Sequence, residues 1–468
     1  MAQKSAESEV NAFPAKRFFV EMLTRDIELK DAILDLLDNC VDGAMRGASR
    51  DGINDPPYDG YRATISFDEN SFTIEDNCGG IPLELAKNAA FRMGRVNPDT
   101  DSDIPTVGVY GIGMKRAIFK LGKNATVSSK TEVESFTVSI TPAWMADDDD
   151  WHIPIQEGIC DFSVAGTKIS VDALNDHIAR ILSDETDFCD QLINDISAYY
   201  GAIIDKGFDV VVNGVAVPSS SVAMLFDPQV LEKKNGIAPF LYEASHDGVD
   251  VSVVIGFYRD LPSNVEEEQA LAGRPSSEKS GITVVCNDRV VVYADKTRMT
   301  GWGEASVPQY HTQFVSIAGL VTFKANDASK LPVTTTKRGL DGNSELYLGV
   351  KEVIREGIKH FTSYTNKVKK DGGRTHKLRS HASAAQPREV IDVIPDSAWS
   401  EVRKGIGGRR FVPPLPVPKS ESKERWIRFK KNQADIQLLA EYFFDDADMK
   451  PSDIGEKCFD ECMKKVRR

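Results

Sequence analysis

The chain has few cysteines, and their spacing is not typical of a zinc site or of a disulfide framework. Its 468 residues include seven cysteines, an odd number that is scattered along the sequence. Only Cys458 and Cys462 lie close together, at the i,i+4 spacing of a helix, and no second pair stands nearby to complete a zinc site. We therefore expect a reduced protein of the cytoplasm.

Long hydrophobic runs are absent as well. No uncharged apolar stretch reaches the roughly 18 residues that would predict a membrane-spanning helix. Residues 1–20 also lack the apolar segment of a signal peptide, so we expect no membrane partner. With 41% hydrophobic and 27% charged residues, the composition is ordinary for a soluble protein, and the length predicts two or three domains.

Basic charge is scarce in most of the chain and concentrated toward its C-terminal end. Residues 367–468 contain 23 Lys and Arg against 16 Asp and Glu, a local net charge of +7. Because the whole chain carries −14, residues 1–366 carry −21. A polyanion such as DNA would therefore contact the basic tail, at 367–388 and around Arg409-Arg410, or one local groove. A charge run of this kind is also typical of a solvated linker.

The order of the predicted elements indicates an α+β fold. A helix is expected over 27–44, and two strands at 62–67 and 71–75 are expected to form a hairpin. A short helix, a glycine-rich loop that opens another helix, and further strands follow. This order predicts helices on one face of a largely antiparallel sheet.

A second unit with more strands is predicted after the first. Strands are expected at 209–213, 249–257, 281–292 and 314–321, between a helix over 188–202 and a closing helix over 346–369. The Gly-, Ser- and Pro-rich stretch that follows predicts a linker, and the last residues predict a small helical region. The predicted boundaries of these parts are 10–180, 185–366, 367–424 and 425–468.

The helix at 27–44 carries an unusual polar face. Asp31, Asp35, Asp38, Asn39 and Asp42 fall within about 100° of one another on a helical wheel. Carboxylates three and four residues apart repel one another and destabilise the helix unless something compensates. A divalent cation with a phosphate, or a water awaiting deprotonation, would compensate, but a solvated surface explains the same segment equally well.

Two glycine-containing motifs follow. Asp76-Asn77-Cys78-Gly79-Gly80 comes directly after a strand, where glycine allows close approach of a ligand and a carboxylate can accept a hydrogen bond from an amine such as that of adenine. Further on, Gly108, Gly111, Gly113 and Lys115 open a helix whose first amides favour phosphate. This loop matches neither the P-loop nor the dinucleotide pattern. Taken alone, each motif is also explained as an ordinary turn.

In this order, the acidic helix, the strand with its DNCGG turn, the glycine-rich loop and Gly166-Thr167 resemble the GHKL ATPases. This group contains DNA gyrase, the large heat-shock chaperones, histidine kinases, MutL and MORC proteins. The resemblance covers about residues 15–175 and implies a Bergerat-type α/β sandwich that binds ATP with Mg²⁺.

The resemblance also implies roles for individual residues. Asp35 would orient the attacking water as the catalytic carboxylate, and Asn39 would be the magnesium ligand. Asp76 would bind adenine with support from Thr167, and residues 91–105 would form a lid over ATP. The nucleotide-binding residues that the resemblance implies are Asn39, Asp42, Asp76, Gly80, Met93, Gly108, Gly111, Gly113, Met114, Lys115 and Thr167.

The sequence departs from the GHKL pattern at two positions. Asp35 stands where most of the group has Glu, and its carboxylate lies about 1 Å further back because the side chain is one methylene shorter. Cys78 replaces the usual first glycine of the adenine motif. We therefore expect ATP to bind and hydrolysis to be slow.

The second unit resembles the transducer domain of MORC and MutL proteins, a β-α-β domain, over residues 281–295 and 314–341. In that group a lysine after a Thr-rich loop reaches the γ-phosphate, and Lys337 is the matching residue, with Arg338 as the alternative. A cation from a second domain would make interdomain geometry depend on the terminal phosphate. Without the upstream motifs, a solvated Lys-Arg pair would explain this loop.

The resemblance implies an ATP-driven conformational clamp that forms a homodimer through its ATPase domain and acts on nucleic acid. Prokaryotic proteins of this type are associated with restriction and anti-phage defence, and any cutting would need a protein partner because no nuclease motif appears. The alternative is a chaperone-like ATPase with a protein client. A histidine kinase is disfavoured because no helical hairpin with a phosphoacceptor His precedes the ATPase unit.

Overall fold

The structure, a computed structural model, describes most of the chain. The described residues are 15–51, 56–92, 112–148, 150–160, 164–183, 187–233, 236–262, 279–334, 339–370, 382–416, 427 and 429–467. The chain divides into two compact units, Met1–Pro418 and Lys419–Arg468. In the described part of the chain, no helix has both the length and the apolar character needed to cross a membrane.

Helices and an eight-stranded sheet form the first part of the larger unit. The helices are α1 (Lys16–Arg25), α2 (Leu29–Asp51), α3 (Leu83–Leu85), which continues as a π-helical turn (Ala86–Ala90), α4 (Gly113–Leu121), α5 (Pro142–Ala146), α6 (Asp176–Leu182), α7 (Phe188–Tyr199) and α8 (Gly201–Asp205). The strands are β1 (Arg62–Phe67), β2 (Ser71–Asp76), β3 (Gly122–Lys130), β4 (Ser135–Ile140), β5 (Ile155–Glu157), β6 (Gly166–Leu174), β7 (Asp209–Val212) and β8 (Val215–Ala216).

The predicted hairpin is present and begins the sheet. Apolar side chains alternate with polar ones along β1 and β2, so that Ile65 and Phe72 are buried on the same face. Asp68 fixes the turn by accepting hydrogen bonds from the amides of Asn70 and Ser71, both at 2.8 Å. The strand order is β5-β4-β3-β6-β2-β1-β7-β8, and the pairs are antiparallel except for β1 with β7.

The first sheet extends beyond the boundary predicted near residues 180–185. Strand β7, which the sequence placed in the second unit, pairs in parallel with β1. Leu192 and Ile196 of α7 share one hydrophobic core with Leu37 of α2. Helix α7 and strand β7, which follow the predicted boundary, therefore belong to the eight-stranded sheet and its hydrophobic core.

A seven-stranded sheet forms the rest of the larger unit. Its order is β13-β12-β14-β11-β10-β17-β16, with antiparallel pairs except for β12 with β14, and β9 pairs separately with β15. The strands are β9 (Met224–Phe226), β10 (Phe240–His246), β11 (Val249–Phe257), β12 (Gly281–Cys286), β13 (Arg289–Asp295), β14 (Ile317–Ala325), β15 (Ser383–Ala385), β16 (Ser400–Glu401) and β17 (Arg409–Phe411). The helices are α9 (Val230–Lys233), α10 (Glu345–Lys370) and α11 (Pro387–Val393).

The long helix α10, predicted as the closing helix, packs against this sheet. Phe361 of α10 contacts Phe257 of β11 with ring centroids 5.0 Å apart in an edge-to-face arrangement. Both side chains are fully buried. The mixed sheets with packed helices confirm the predicted α+β class.

The predicted linker at 367–424 is folded over much of its length, because residues 382–416 contribute β15, β16 and β17 to the larger unit. Strand β17 pairs with β10, and Tyr242 donates a hydrogen bond to the Gly407 carbonyl at 2.5 Å. The two arginines proposed for phosphate contacts are ion-paired: Arg409 binds Glu243 at 2.7 Å, and Arg410 binds Glu356 at 2.5 Å. Their charge is already matched within the protein.

The smaller unit is helical, as the sequence predicted. It contains α12 (Gln433–Phe444) and α13 (Pro451–Val466). Asn432 caps α12 by accepting a hydrogen bond from the Ala434 amide at 3.2 Å. Pro451 begins α13, where a missing amide hydrogen has no cost.

Candidate functional site

Helix α2 does not present its carboxylates to one common pocket. Its apolar arc is buried in the first core, where Ile33 and Leu37 are fully buried. On the polar side Asp35 and Asp38 are buried too, whereas Asn39 is exposed. The predicted face of mutually repelling acids is therefore divided, because each of these two buried carboxylates has a different cationic partner.

The side chain of Asp35, a residue of α2, lies beside the first turn of α4. Its side chain is only 8% exposed, and it forms an ion pair with Arg116 through Oδ2. A Cβ added at Gly113, the first residue of α4, would lie 3.4 Å from the Asp35 carboxyl carbon. The carboxylate predicted to orient water thus lies close to the helix end that is predicted to bind phosphate, with room for little more than a methyl group between them.

Asp38 points toward the second sheet. Its Oδ1 accepts a hydrogen bond from the Tyr200 hydroxyl at 2.6 Å and another from Arg289 Nε at 2.8 Å. The guanidinium of Arg289, the first residue of β13, also lies 4.2 Å from the centroid of the Tyr200 ring. Asp38 and Arg289 are about as buried as any residue in the core, with side chains 1% and 2% exposed. This ion pair joins α2 to the seven-stranded sheet.

Asn39 is exposed, whereas Asp35, Asp38 and Asp42 on the same polar face of α2 are buried. In the part of the chain that the structure describes, no group of three or more His, Cys, Asp or Glu side chains could hold a metal ion. Mg²⁺ bound with a nucleotide needs only one or two protein ligands, because phosphates and water complete its octahedron. The exposed amide of Asn39, four residues after Asp35, fits that requirement.

Asp76 is held at the end of β2 by main-chain amides. Its Oδ1 accepts hydrogen bonds from the Cys78 amide at 2.8 Å and from the Thr167 amide at 3.3 Å. Burial raises the pKa of the Asp76 carboxyl to about 6, although these hydrogen bonds act in the opposite direction. Thr167 therefore lies where the sequence predicted it, beside Asp76, and contacts it through the backbone.

Two glycines allow the chain to pack closely around this carboxylate. A Cβ at Gly166 would lie 1.9 Å from the Asp76 carbonyl oxygen. Gly80 has φ +74°, and a Cβ there would lie 2.1 Å from the Lys130 carbonyl oxygen. The close approach at Gly80 is thus to the end of β3. The hydroxyl of Ser129, which the sequence did not indicate, bridges this turn by accepting from the Ile81 amide at 2.7 Å and contacting Thr167 Oγ1 at 3.1 Å.

Helix α2 also contacts the turn that carries Asp76. A Cβ at Gly43 would lie 2.9 Å from the Cys78 Cβ, so the helix packs directly on this turn. Cys40 and Cys78 are buried beside Asp76, and burial together with that carboxylate raises the pKa of both thiols. One helix therefore contacts the predicted phosphate end of the site at Asp35 and the predicted adenine end at Cys40 and Gly43.

Lys115 contacts the π-helical turn that follows α3. Its ammonium donates a hydrogen bond to the Ala90 carbonyl at 2.9 Å, at the end of the π-helical turn. The residue is only 3% exposed, and burial lowers the pKa of its amine to about 8. The cation of α4 that contacts the carboxylate is Arg116, which the sequence reasoning did not single out although it directly follows Lys115.

The structure thus places Gly113 and Arg116 of α4 beside Asp35 of α2, and it groups Asp76, Gly80 and Thr167 near Cys40 and Gly43 of the same helix, while Lys115 binds the Ala90 carbonyl. Met93, Gly108, Gly111, Lys337 and Arg338 lie outside the described residues. Besides Arg116, sequence reasoning missed Tyr200 and Arg289, for which no local pattern gives a signal. The Asn287-Asp288 turn, at which both residues have positive φ, only places Arg289 at the start of β13 and does not indicate its partner.

Comparison with known proteins supports the nucleotide assignment. Residues 27–165 match the family model described as histidine kinase-, DNA gyrase B-, and HSP90-like ATPase. This match supports a GHKL-type ATPase domain at residues 27–165, and with it ATP binding, and the matched range contains the predicted residues from Asp35 to Lys115. The match covers less than a third of the chain. No curated protein matches the sequence.

Proposed function

We propose that this protein hydrolyses ATP slowly with Mg²⁺ and uses ATP to close a dimeric clamp of the MORC and MutL type on nucleic acid. The observation that carries the nucleotide part is the pair of contacts made by α2. Asp35 lies against Gly113 at the start of α4, while Gly43 packs on the turn after Asp76. Eight residues of helix separate these contacts, about 12 Å along the axis, so one nucleotide can extend from one to the other.

In this proposal, adenine lies at Asp76 and the phosphates lie at the start of α4. The exposed amide of Asn39 would hold Mg²⁺, which when bound neutralises phosphate charge. Asp35 accepts a proton from water while the water oxygen bonds to the γ-phosphorus. The bond from that phosphorus to the bridging oxygen breaks, and ADP leaves with its electron pair. The short side chain of Asp35 makes this step slow.

The contact between α2 and the second sheet supports a conformational role. The ion pair of Asp38 and Arg289 lies one residue from Asn39 and ties β13 to the nucleotide helix. A movement of α2 caused by a change at the phosphates would therefore move β13 through this ion pair. Lys337, which follows β14 in the sequence, would contribute a positive charge to the binding of the terminal phosphate.

Nucleic acid as the client is proposed from the transducer resemblance and from the positive charge of residues 367–468. Because Arg409 and Arg410 are already ion-paired, the segment 367–388 is the better candidate for phosphate contacts. We further propose a cytoplasmic role in bacterial restriction or anti-phage defence. A protein partner would supply any cutting activity.

The nucleotide proposal is tested by measuring ATP binding and hydrolysis for the full chain. Asp35→Ala should retain ATP binding and lose hydrolysis, whereas Asp76→Ala should lose binding. Asp172→Asn, an exposed acid of β6 in the same sheet, serves as the matched control. Failure of the unmodified protein to bind ATP would overturn the proposal.

The clamp and its client need separate measurements. Light scattering with Asp35→Ala should show dimers when ATP is added and monomers without it, and Lys337→Ala should weaken this response. Duplex DNA should change the hydrolysis rate in a salt-dependent manner. ATP-dependent binding of an unfolded polypeptide, with no effect of DNA, would instead establish the chaperone-like alternative.

A further inference from the structure

The ion pair between Asp35 and Arg116 is a feature that the nucleotide motifs do not explain. Arg116 lies in the first turns of α4, and one of its terminal nitrogens contacts Asp35 Oδ2. Both side chains are largely buried, at 16% and 8% exposure. A largely buried ion pair is held more firmly than a surface pair, since solvent and salt screen it less.

The two adjacent cations of α4 point in different directions. Lys115 donates to the Ala90 carbonyl, while Arg116 binds the carboxylate. Arg116 is therefore the residue that ties the predicted water-orienting group to the helix whose first residue, Gly113, lies close to the same carboxylate. Asp35 and the start of α4 are held together by the side chain and by packing.

We infer that Arg116 is a positioning residue for Asp35, an inference that rests on the proposed ATPase reaction. By occupying Oδ2, the guanidinium fixes the orientation of the carboxyl group and directs Oδ1 to the water. This matters more for Asp than for Glu, because the shorter side chain has less reach with which to correct a misplaced carboxylate. Arg116 thus keeps the base at a set distance from phosphates bound at the start of α4.

The inference is tested by a double-mutant cycle in the full chain. Arg116→Ala should lower kcat by about 10- to 100-fold while changing the dissociation constant of ATP by less than about threefold, since a small misplacement of a catalytic group has effects of this size. Arg116→Lys should restore part of the rate because it keeps the charge. In the Asp35→Ala background, Arg116→Ala should not lower the residual hydrolysis rate, measured at high protein concentration, any further, because Arg116 acts through Asp35.

Lys120→Ala is the matched control, since Lys120 lies one turn further along α4 and bonds to the Thr24 carbonyl of α1. It should leave both kcat and ATP binding unchanged. An additive loss in the Asp35→Ala background, with weaker ATP binding, would overturn the inference and show that Arg116 contacts phosphate itself. An unchanged kcat with a lower melting temperature would overturn it in favour of a structural role.

These outcomes are separate from failure of the proposed function. If the unmodified protein neither binds nor hydrolyses ATP, the reaction itself is wrong. If it hydrolyses ATP and Arg116→Ala behaves like the unmodified protein, only the positioning role is wrong.

Discussion

The buried pair of Asp38 and Arg289 provides a quantitative test of how the two sheets are joined. Arg289→Met keeps most of the side-chain volume and removes the charge. It deletes the 2.8 Å hydrogen bond to Asp38 and the cation–π contact with Tyr200, while Asp38 stays 1% exposed. Removing one partner of a buried ion pair costs about 3–5 kcal/mol, because the remaining charge is then buried without that counter-charge.

The double variant Asp38→Asn with Arg289→Met separates the cost of a stranded charge from the loss of packing. Because it leaves no charge behind, we expect it to recover more than half of the stability that Arg289→Met loses. Arg62→Met is the control: the ion pair of Arg62 with Asp209 joins two strands, and its side chains are 59% and 61% exposed. This exposed pair should contribute less than about 1 kcal/mol.

Urea denaturation of the full chain, followed by circular dichroism and tryptophan fluorescence, measures these differences. The expected order of midpoints is unmodified protein and Arg62→Met highest, the double variant next, and Arg289→Met lowest. A free energy of unfolding for Arg289→Met within about 1 kcal/mol of that of the unmodified protein would refute the reasoning, because Asp38 would then be solvated or neutral without its arginine.

Three further predictions concern the Asp76 turn and the cysteines. ATP affinity should fall as pH decreases through about 6, where the Asp76 carboxyl becomes protonated, and a titration that stays flat from about pH 8 to about pH 5 would contradict this role. Gly166→Ala should abolish ATP binding, because its Cβ would collide with the Asp76 carbonyl, whereas Gly342→Ala, with open space around it, should bind normally. In the folded protein, a thiol reagent should label Cys462 rapidly, because this thiol is exposed, and label Cys286 only after unfolding, because burial raises the pKa of its thiol. Equal labelling rates for the two cysteines would contradict their assigned burial.

Sequence periodicity predicted the local elements well. The bounds of β1 were predicted without error, and β2 extends only one residue beyond its predicted end, because alternation of apolar and polar residues is a local property. The helical wheel also placed the acids of α2 on one side. It could not assign their partners, since Arg116 and Arg289 are 81 and 251 residues away in sequence from the carboxylates they bind.

The same limit explains the error over the predicted linker. Composition alone indicated a solvated stretch around Arg409, because Gly, Pro and basic residues are common there. The structure instead pairs this short strand with β10, and Arg409 with Glu243, which is 166 residues earlier. Such long-range pairing leaves no periodic trace in a three-residue strand.

The parallel pairing of β1 with β7 determines how the ATPase layer can be isolated. A fragment that ends near residue 180 would lose β7 and expose the hydrogen-bonding edge of β1. An exposed strand edge of this kind promotes aggregation, because it can pair with another chain. A fragment that ends after β8 would restore this edge but would still lack Arg289, so Asp38 would keep its burial without its arginine. The smallest fragment that preserves both contacts must continue through β13. The stability of α2 and the eight-stranded sheet therefore depends on Arg289, a residue of a strand in the seven-stranded sheet.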